Sequence, residues 1–231
     1  MIECFDGECR PWTKTGCSCC PIRPFKIYQG NGCSIKERLY CKKNDIGVMI
    51  SPGGCTAPQN FNYYAIDNGA YSAWVNNFDW DAEGFKSYLR KLLKKKSPDF
   101  VVVPDKVAKG LESLSFSIVW SSILKDLYPD LNQYLAVQDG MTIADVSPYV
   151  QNFGGIFVGG SLNWKIKTAE QWANLAHKHQ LFCHVGRVGT WNRIVWAMRI
   201  GADSIDSSSW PQNNSWHHIE NAKKQKILEV V

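Results

Sequence analysis

The sequence holds no apolar run approaching the roughly 18 residues needed to cross a bilayer, which excludes a membrane-spanning helix. Its first residues, Met1-Ile2-Glu3-Cys4-Phe5-Asp6, lack the basic-then-apolar layout of a secretory signal. Both absences lead to the expectation of an intracellular, cytoplasmic protein with no membrane partner, whose thiols are reduced. Strong charge of one sign is also missing, since 26 Lys and Arg stand against 21 Asp and Glu, a net +5. That excess is compatible with nucleic acid but does not demand it. No pair of Cys-x2-Cys motifs occurs, so no standard zinc pattern can be written.

What is present is uneven. A chain of 231 residues, 45% of them hydrophobic, is long enough for one large α/β core. Aromatic residues make up 13%, more than a core of this size requires, and stacking on bases is one use for the surplus. Seven of the nine cysteines fall in residues 1–45, at Cys4, Cys9, Cys17, Cys19, Cys20, Cys33 and Cys41, among few periodic apolar positions. This stretch reads as a Cys-rich N-terminal segment ahead of a catalytic domain over 46–231. Within it Cys17, Cys19, Cys20, Cys33 and Cys41 are candidate ligands of a structural zinc or iron-sulfur site, with unligated thiols as the alternative.

From Ile46 onward, short apolar runs alternate with amphipathic stretches. Strands are expected at 46–50, within 63–66, and at 100–103, 134–137, 155–158, 181–185 and 202–206. Helices are expected at 81–96, 111–127, 143–150, 169–179, 191–200 and 217–230. Lys94-Lys95-Lys96 closes the first of these helices, where cations complement the dipole. Continuous apolar strands alternating with helices mean parallel β-structure covered on both faces, and seven or eight such units predict an α/β fold of the (β/α)8 barrel type.

Polar residues mark one end of these strands. Asp67, Asp105, Gln138, Gly159-Gly160 and Asp206 each sit at the C-terminal end of an expected strand, on the rim where such barrels carry their chemistry. An Asp before Asn-Gly is by itself a common turn cap, but three strand-end carboxylates together are not explained by turns. No His-x-His or carboxylate cluster at metal spacing lies among them, so they suit nucleophilic and acid/base work. Double displacement at an anomeric carbon needs one carboxylate to attack and another to move a proton. Asp105, Gln138 and the Gly-Gly backbone add donors and acceptors that suit a flat heterocycle.

At this point the chain resembles the tRNA-guanine transglycosylase superfamily. Asp67-Asn68-Gly69-Ala70-Tyr71 is similar to its Asp-Ser-Gly-Gly-Phe motif, Ala136-Val137-Gln138-Asp139-Gly140 to its Val-Gln-Gly segment, and Val158-Gly159-Gly160-Ser161 to its Gly-Gly-Leu loop. Val185-Gly186-Arg187-Val188-Gly189 and the run from Arg199 to Ser207 resemble its C-terminal motifs in order and spacing. The resemblance covers about residues 46–210. It implies Asp206 as nucleophile, Asp67 as general acid/base, Asp105 and Gln138 as readers of the guanine edge, and Gly159, Gly160 and Ser161 as the loop that holds the base carbonyl. No cofactor is implied for the chemistry.

The departures narrow the expectation. The family's tRNA enzymes carry three Cys and one His after the nucleophile, whereas no cysteine follows Asp206 here. Where they place a Glu for an aminomethyl group, this chain has Lys165, which implies a neutral or anionic 7-substituent. The type resembled most is the compact phage DNA-guanine transglycosylase, which puts a 7-deazaguanine into DNA, and a phage-encoded copy would work in the host cytoplasm. Partners implied are DNA, with tRNA as the alternative, and a free base such as 7-cyano-7-deazaguanine; a homodimer is compatible. Base extrusion would employ aromatics such as Tyr71, Trp74, Trp164, Trp191 or Trp210. Phosphates would meet Lys106, Lys109, Lys165, Arg187 and Arg193, for which solvation is the plain alternative. A catalytically silent nucleic-acid-binding barrel and an N-glycosidase remain open as other readings.

Overall fold

The computed structural model describes residues 24–30 and 34–228, with side chains described to residue 224. In chain order the elements are β1 Lys26–Gly30, α1 Ile35–Lys43, β2 Gly47–Ile50, β3 Tyr64–Ile66, α2 Ala70–Val75, α3 Ala82–Leu93, β4 Val101–Val102 and α4 Gly110–Leu127. They continue with β5 Gln133–Val137, α5 Ile143–Val146, β6 Gly155–Val158, α6 Leu162–Lys178, β7 Phe182–Val185, α7 Trp191–Arg199, β8 Ser204–Ser207, α8 Ser209–Gln212 and α9 His217–Leu228. All neighbouring strands pair in parallel and β8 returns to β1, with Tyr28 opposite Asp206, so the sheet closes as an eight-stranded (β/α)8 barrel.

Closure divides the apolar residues into two cores. Alternation along each strand sends Tyr28, Met49, Ala65, Phe100, Val102, Tyr134 and Ala136 into the barrel. Phe100 and Tyr134 stack there with centroids 4.0 Å apart. The other faces, with Ile27, Val48, Ile66, Val101, Leu135, Ile156 and Val185, pack under the helices. Helix α3 shows how the sequence makes such a helix: Asp81 accepts from Gly84 N–H at its start, and Phe85, Leu89 and Leu92 recur on one buried face. At the lower end, Asp99 accepts from Lys26 Nζ at 2.7 Å and from the Tyr28 hydroxyl at 2.5 Å. These bonds tie β1 to the entry of β4 at the barrel floor.

Helices α1, α2 and α8 were not expected and α5 is shorter than expected, and two further differences have a clear physical reason. The barrel begins at Lys26, inside the segment expected to precede it, because β1 is Lys-Ile-Tyr-Gln-Gly and only Ile27 and Tyr28 give an apolar signal. Helix α6 begins at Leu162 instead of 169, because Lys165 turns inward and breaks the apolar periodicity of its first turns. The Lys94 to Lys96 run has a role beyond the helix dipole. Lys95 Nζ donates to Thr56 O, and Lys96 Nζ donates to Phe61 O and Asn62 O, tying α3 to the β2–β3 connection. Among the described residues no helix is long and apolar enough to cross a membrane.

Candidate functional site

The first carboxylate is set by the turn after β3. Asp67 N–H donates to Ile50 O at 2.8 Å, which holds the residue at the rim. Its Oδ1 then accepts from Gly69 N–H at 2.6 Å, and Gly69 adopts φ 79°, a conformation that costs glycine little. The turn-cap reading is therefore true of Oδ1, while Oδ2 has no hydrogen-bond partner among the described residues. Burial first, and then the charges of Asp206 and Asp105, push the Asp67 carboxyl up to about 6 against the opposing effects of Gly69 N–H and Arg187.

Asn68 faces the other way, and every polar group of its side chain is engaged. Its amide donates to Val103 O at 2.9 Å and to Asp105 Oδ1 at 2.8 Å, and its Oδ1 accepts from Ala70 N–H. Asp105, on the turn after β4, is pushed up to about 6 by burial, although the Asn68 amide opposes the shift. Gln138 completes this corner in an unexpected manner. Only 4% exposed, it donates to Ser113 Oγ at 2.7 Å, Lys106 O at 3.0 Å and Asp105 Oδ2 at 3.3 Å, and accepts from Ala108 N–H at 2.6 Å. Its amide is occupied in shaping the β4–α4 loop and Asp105. Gln138, expected to read a ligand edge, has its amide engaged by these internal partners.

The Gly-Gly loop after β6 also sorts itself by hydrogen bonds. Gly159 N–H is committed to Val137 O at 2.9 Å, and Ser161 N–H and Oγ both donate to Asp139 at 2.6 Å. Of these three amides only Gly160 N–H is without a partner among the described residues. Gly160 has φ 70°, and a Cβ there would meet Asp139 Oδ2 at 2.6 Å and Trp164 at 2.9 Å. Glycine at both positions leaves the backbone exposed to a ligand at this turn, with the Gly159 N–H already engaged.

The third carboxylate, Asp206, points inward from β8. Its Oδ1 accepts from His184 Nε2 at 3.0 Å and from Arg187 N–H at 3.3 Å. His184 Nδ1 lies 2.8 Å from Ser204 Oγ, so a hydroxyl donating to Nδ1 fixes the tautomer that carries its proton on Nε2. The imidazole is fully buried and stacks on Phe157 with centroids 4.9 Å apart. One oxygen of Asp206 is thereby anchored and Oδ2 is left without a partner among the described residues. His184 was not marked by the sequence. Its signal was the alternation in Phe182-Cys183-His184-Val185, which becomes legible only when the register shows which face points inward.

Arg187 ties the rim together. It sits at φ 59°, its backbone N–H serves Asp206, and its guanidinium lies 4.5 Å over the Tyr71 ring and donates to Gly160 O. Lys165 lies beneath it, 3% exposed, donating to Gly186 O. Burial and the charges of Arg187 and Arg193 push the Lys165 ammonium down to about 8, with Asp206 opposing. Lys165, expected to face a ligand substituent, here braces the turn that offers Arg187 N–H to Asp206.

The remaining expected residues divide by place. Tyr71 and Trp74 are 45% and 53% exposed on α2, directly after Asp67, and Trp191 is exposed at the start of α7. Trp210 is core and Trp164 packs on Trp172. Lys106 pairs with Glu112 at 2.6 Å. Asp203 holds β7 to α6, accepting from Cys183 N–H at 2.7 Å and lying 2.9 Å from His177.

Cys17, Cys19, Cys20 and Cys33 lie outside the described residues. Cys41 is buried on α1, where its thiol donates to Gln29 Oε1 at 2.7 Å, and burial pushes it up to about 12. A thiol so held is a poor metal ligand, since the thiolate is the binding form. Among the described residues no group of three His, Cys, Asp or Glu is placed to hold a metal. Cys41 and Cys183 are free, but Cys55 is disulfide-bonded, which departs from the expectation of reduced thiols throughout.

Fold and site together define a (β/α)8-barrel protein with three carboxylates converging on the C-terminal rim of its strands. No protein-family model and no curated protein matches the sequence.

Proposed function

We propose that this protein is a base-exchange transglycosylase that replaces guanine in DNA with a 7-deazaguanine. The observation that carries the reading is the pairing of unlike carboxylates. Asp206 has one oxygen anchored by His184 and Arg187 and the other unengaged, and Asp67 lies close enough to feel its charge while titrating near 6. In the proposed reaction Asp206 Oδ2 attacks the sugar C1′, the bond from C1′ to guanine N9 breaks, and Asp67 delivers its proton to the departing base. The intermediate is a glycosyl ester on Asp206. The incoming 7-deazaguanine gives its N9 proton back to Asp67, attacks C1′, and releases Asp206 as carboxylate.

A carboxyl with a value near 6 suits both halves, acting as acid first and base second. Asp105, oriented by Asn68 and Gln138, would accept from the N1–H and N2–H edge of the purine, and Gly160 N–H would donate to its carbonyl. The exposed pair Tyr71 and Trp74, with ring centroids 6.0 Å apart, supports a mouth that receives an extruded base by stacking.

The test is incubation with labelled guanine and duplex DNA, single-stranded DNA or tRNA. Label is expected in DNA with the wild-type chain and none with Asp206→Asn, which should also form no covalent enzyme-DNA adduct on a denaturing gel. Label entering only tRNA would move the substrate to RNA. An adduct that survives Asp206→Asn would remove the nucleophile assignment.

A further inference from the structure

Past the end of the strand that carries Asp206, between the loops that follow β7 and β8, lies a cavity of about 410 Å3. Arg187, Arg193, Ser207, Ser209, Asn213 and His218 are among its walls, and among the described residues no carboxylate lines it. No ion pair or hydrogen bond engages the half-buried Arg193 guanidinium among the described residues. The depressed Lys165 ammonium behind the wall registers the same field, being pushed down by burial and then by Arg187 and Arg193. Asp206 and Asp139 oppose that push on Lys165 from outside the cavity lining, and the unpaired Arg193 guanidinium within it favours an anion.

The other walls supply donors of the right type. Helix α7 begins at the cavity with Thr190, whose side chain makes no capping bond, so first-turn amides are left for a ligand. Ser207 and Ser209 hydroxyls lie 2.8 Å apart, and Ser209 N–H donates to Ser207 Oγ at 3.1 Å. Gly189 lets the β7–α7 loop close on them: a Cβ there would stand 2.2 Å from Ser209 Oγ. Guanidinium groups, hydroxyls and helix amides without a carboxylate form a phosphate-binding set. In (β/α)8 barrels the loops after the last two strands are a recurrent place for one.

We infer that this cavity is a phosphate subsite, holding the phosphate attached to the sugar that Asp206 attacks. Ser207 follows Asp206 at the end of β8, so the cavity adjoins the strand that carries the carboxylate, while alternation turns the two side chains to opposite faces. The sugar half of the inference rests on the transglycosylase reading, and the phosphate half does not.

Calorimetric titration of the full chain in its Asp206→Asn form, which cannot turn over, with inorganic phosphate, deoxyguanosine, its 5′-monophosphate and a guanine-centred trinucleotide tests both halves. The monophosphate is expected to bind roughly tenfold or more tightly than deoxyguanosine, the scale of one charge-assisted contact. Arg193→Gln should remove that advantage, Arg193→Lys should keep part of it, and circular dichroism should show both folded. A trinucleotide that binds more tightly than the monophosphate identifies the source as a phosphodiester, and the reverse order identifies a free nucleotide. Equal binding of deoxyguanosine and its monophosphate, or a monophosphate affinity untouched by Arg193→Gln, overturns the subsite. Arg193-dependent binding of inorganic phosphate with no preference for the guanine nucleotides upholds the subsite and overturns the transglycosylase reading.

Discussion

Replacing Asp67 by Asn should make the folded protein more stable at neutral pH, by an amount that vanishes in acid. The carboxyl moves from its ordinary 3.8 to about 6 on folding. At about 1.36 kcal/mol per tenfold change, that shift disfavours the ionised folded state by roughly 3 kcal/mol. The sign follows from proton binding. Because the folded value is raised, the folded state holds the proton more tightly, so the wild type loses stability as pH rises from about 4 to about 6 and stays lower above that. Asn keeps the acceptor for Gly69 N–H but carries no charge, so it escapes this loss. Urea denaturation of wild type and Asp67→Asn should therefore differ by roughly 0.6 kcal/mol at pH 4 and roughly 3 kcal/mol at pH 8, on the same linkage. No substrate is needed, which separates the electrostatics of the site from its proposed reaction. A difference that is absent at pH 8, or equal at both pH values, would refute the claim that burial and the neighbouring carboxylates raise this group.

Other outcomes follow from single contacts. Asp67→Asn should slow base exchange by about 10²- to 10⁴-fold, the usual contribution of a general acid/base, in single-turnover assays. His184→Leu removes a hydrogen bond to Asp206 and should lower the rate of adduct formation by about 10- to 100-fold, with thermal melting used to separate this from loss of fold. Gly160→Ala places a Cβ against Asp139 at a left-handed backbone position; a loss of about 1 kcal/mol or more by denaturant titration is expected, together with weaker base binding. Cys41→Ala removes a fully buried thiol and strands the Gln29 acceptor, so a cost of about 1–3 kcal/mol is expected, while zinc or iron content measured by elemental analysis should not change.

Much of the barrel could be read in the sequence because its signal is local. A strand buried on both faces must be continuously apolar, and a helix lying on it must be apolar every third or fourth residue, so most strands and helices declare themselves. The rim followed from the same reading, since a residue just past a strand belongs to one end of any parallel barrel. Asp67, Asp105 and Asp206 could be named for that reason. Strand β1 was hidden, because its alternation is carried by two apolar residues between Lys26 and Gln29, and only pairing with β2 and β8 makes it a strand.

Which partners hold each rim residue was decided by contacts distant along the chain. Gln138 is occupied by the β4–α4 loop, about 30 residues earlier. Lys165 reaches Gly186, and His184 reaches Asp206 from the next strand. A side chain's chemistry depends on which partners already hold its donors and acceptors, and on how far burial has removed water. By itself the sequence determined that this is a parallel α/β barrel with carboxylates on one rim, because periodicity and strand ends are properties of neighbours. Only the tertiary structure decided which carboxylate is anchored, which two are pushed up to about 6, and which polar side chains are already engaged. Those properties arise from register, closure and desolvation, and no short stretch of sequence contains them.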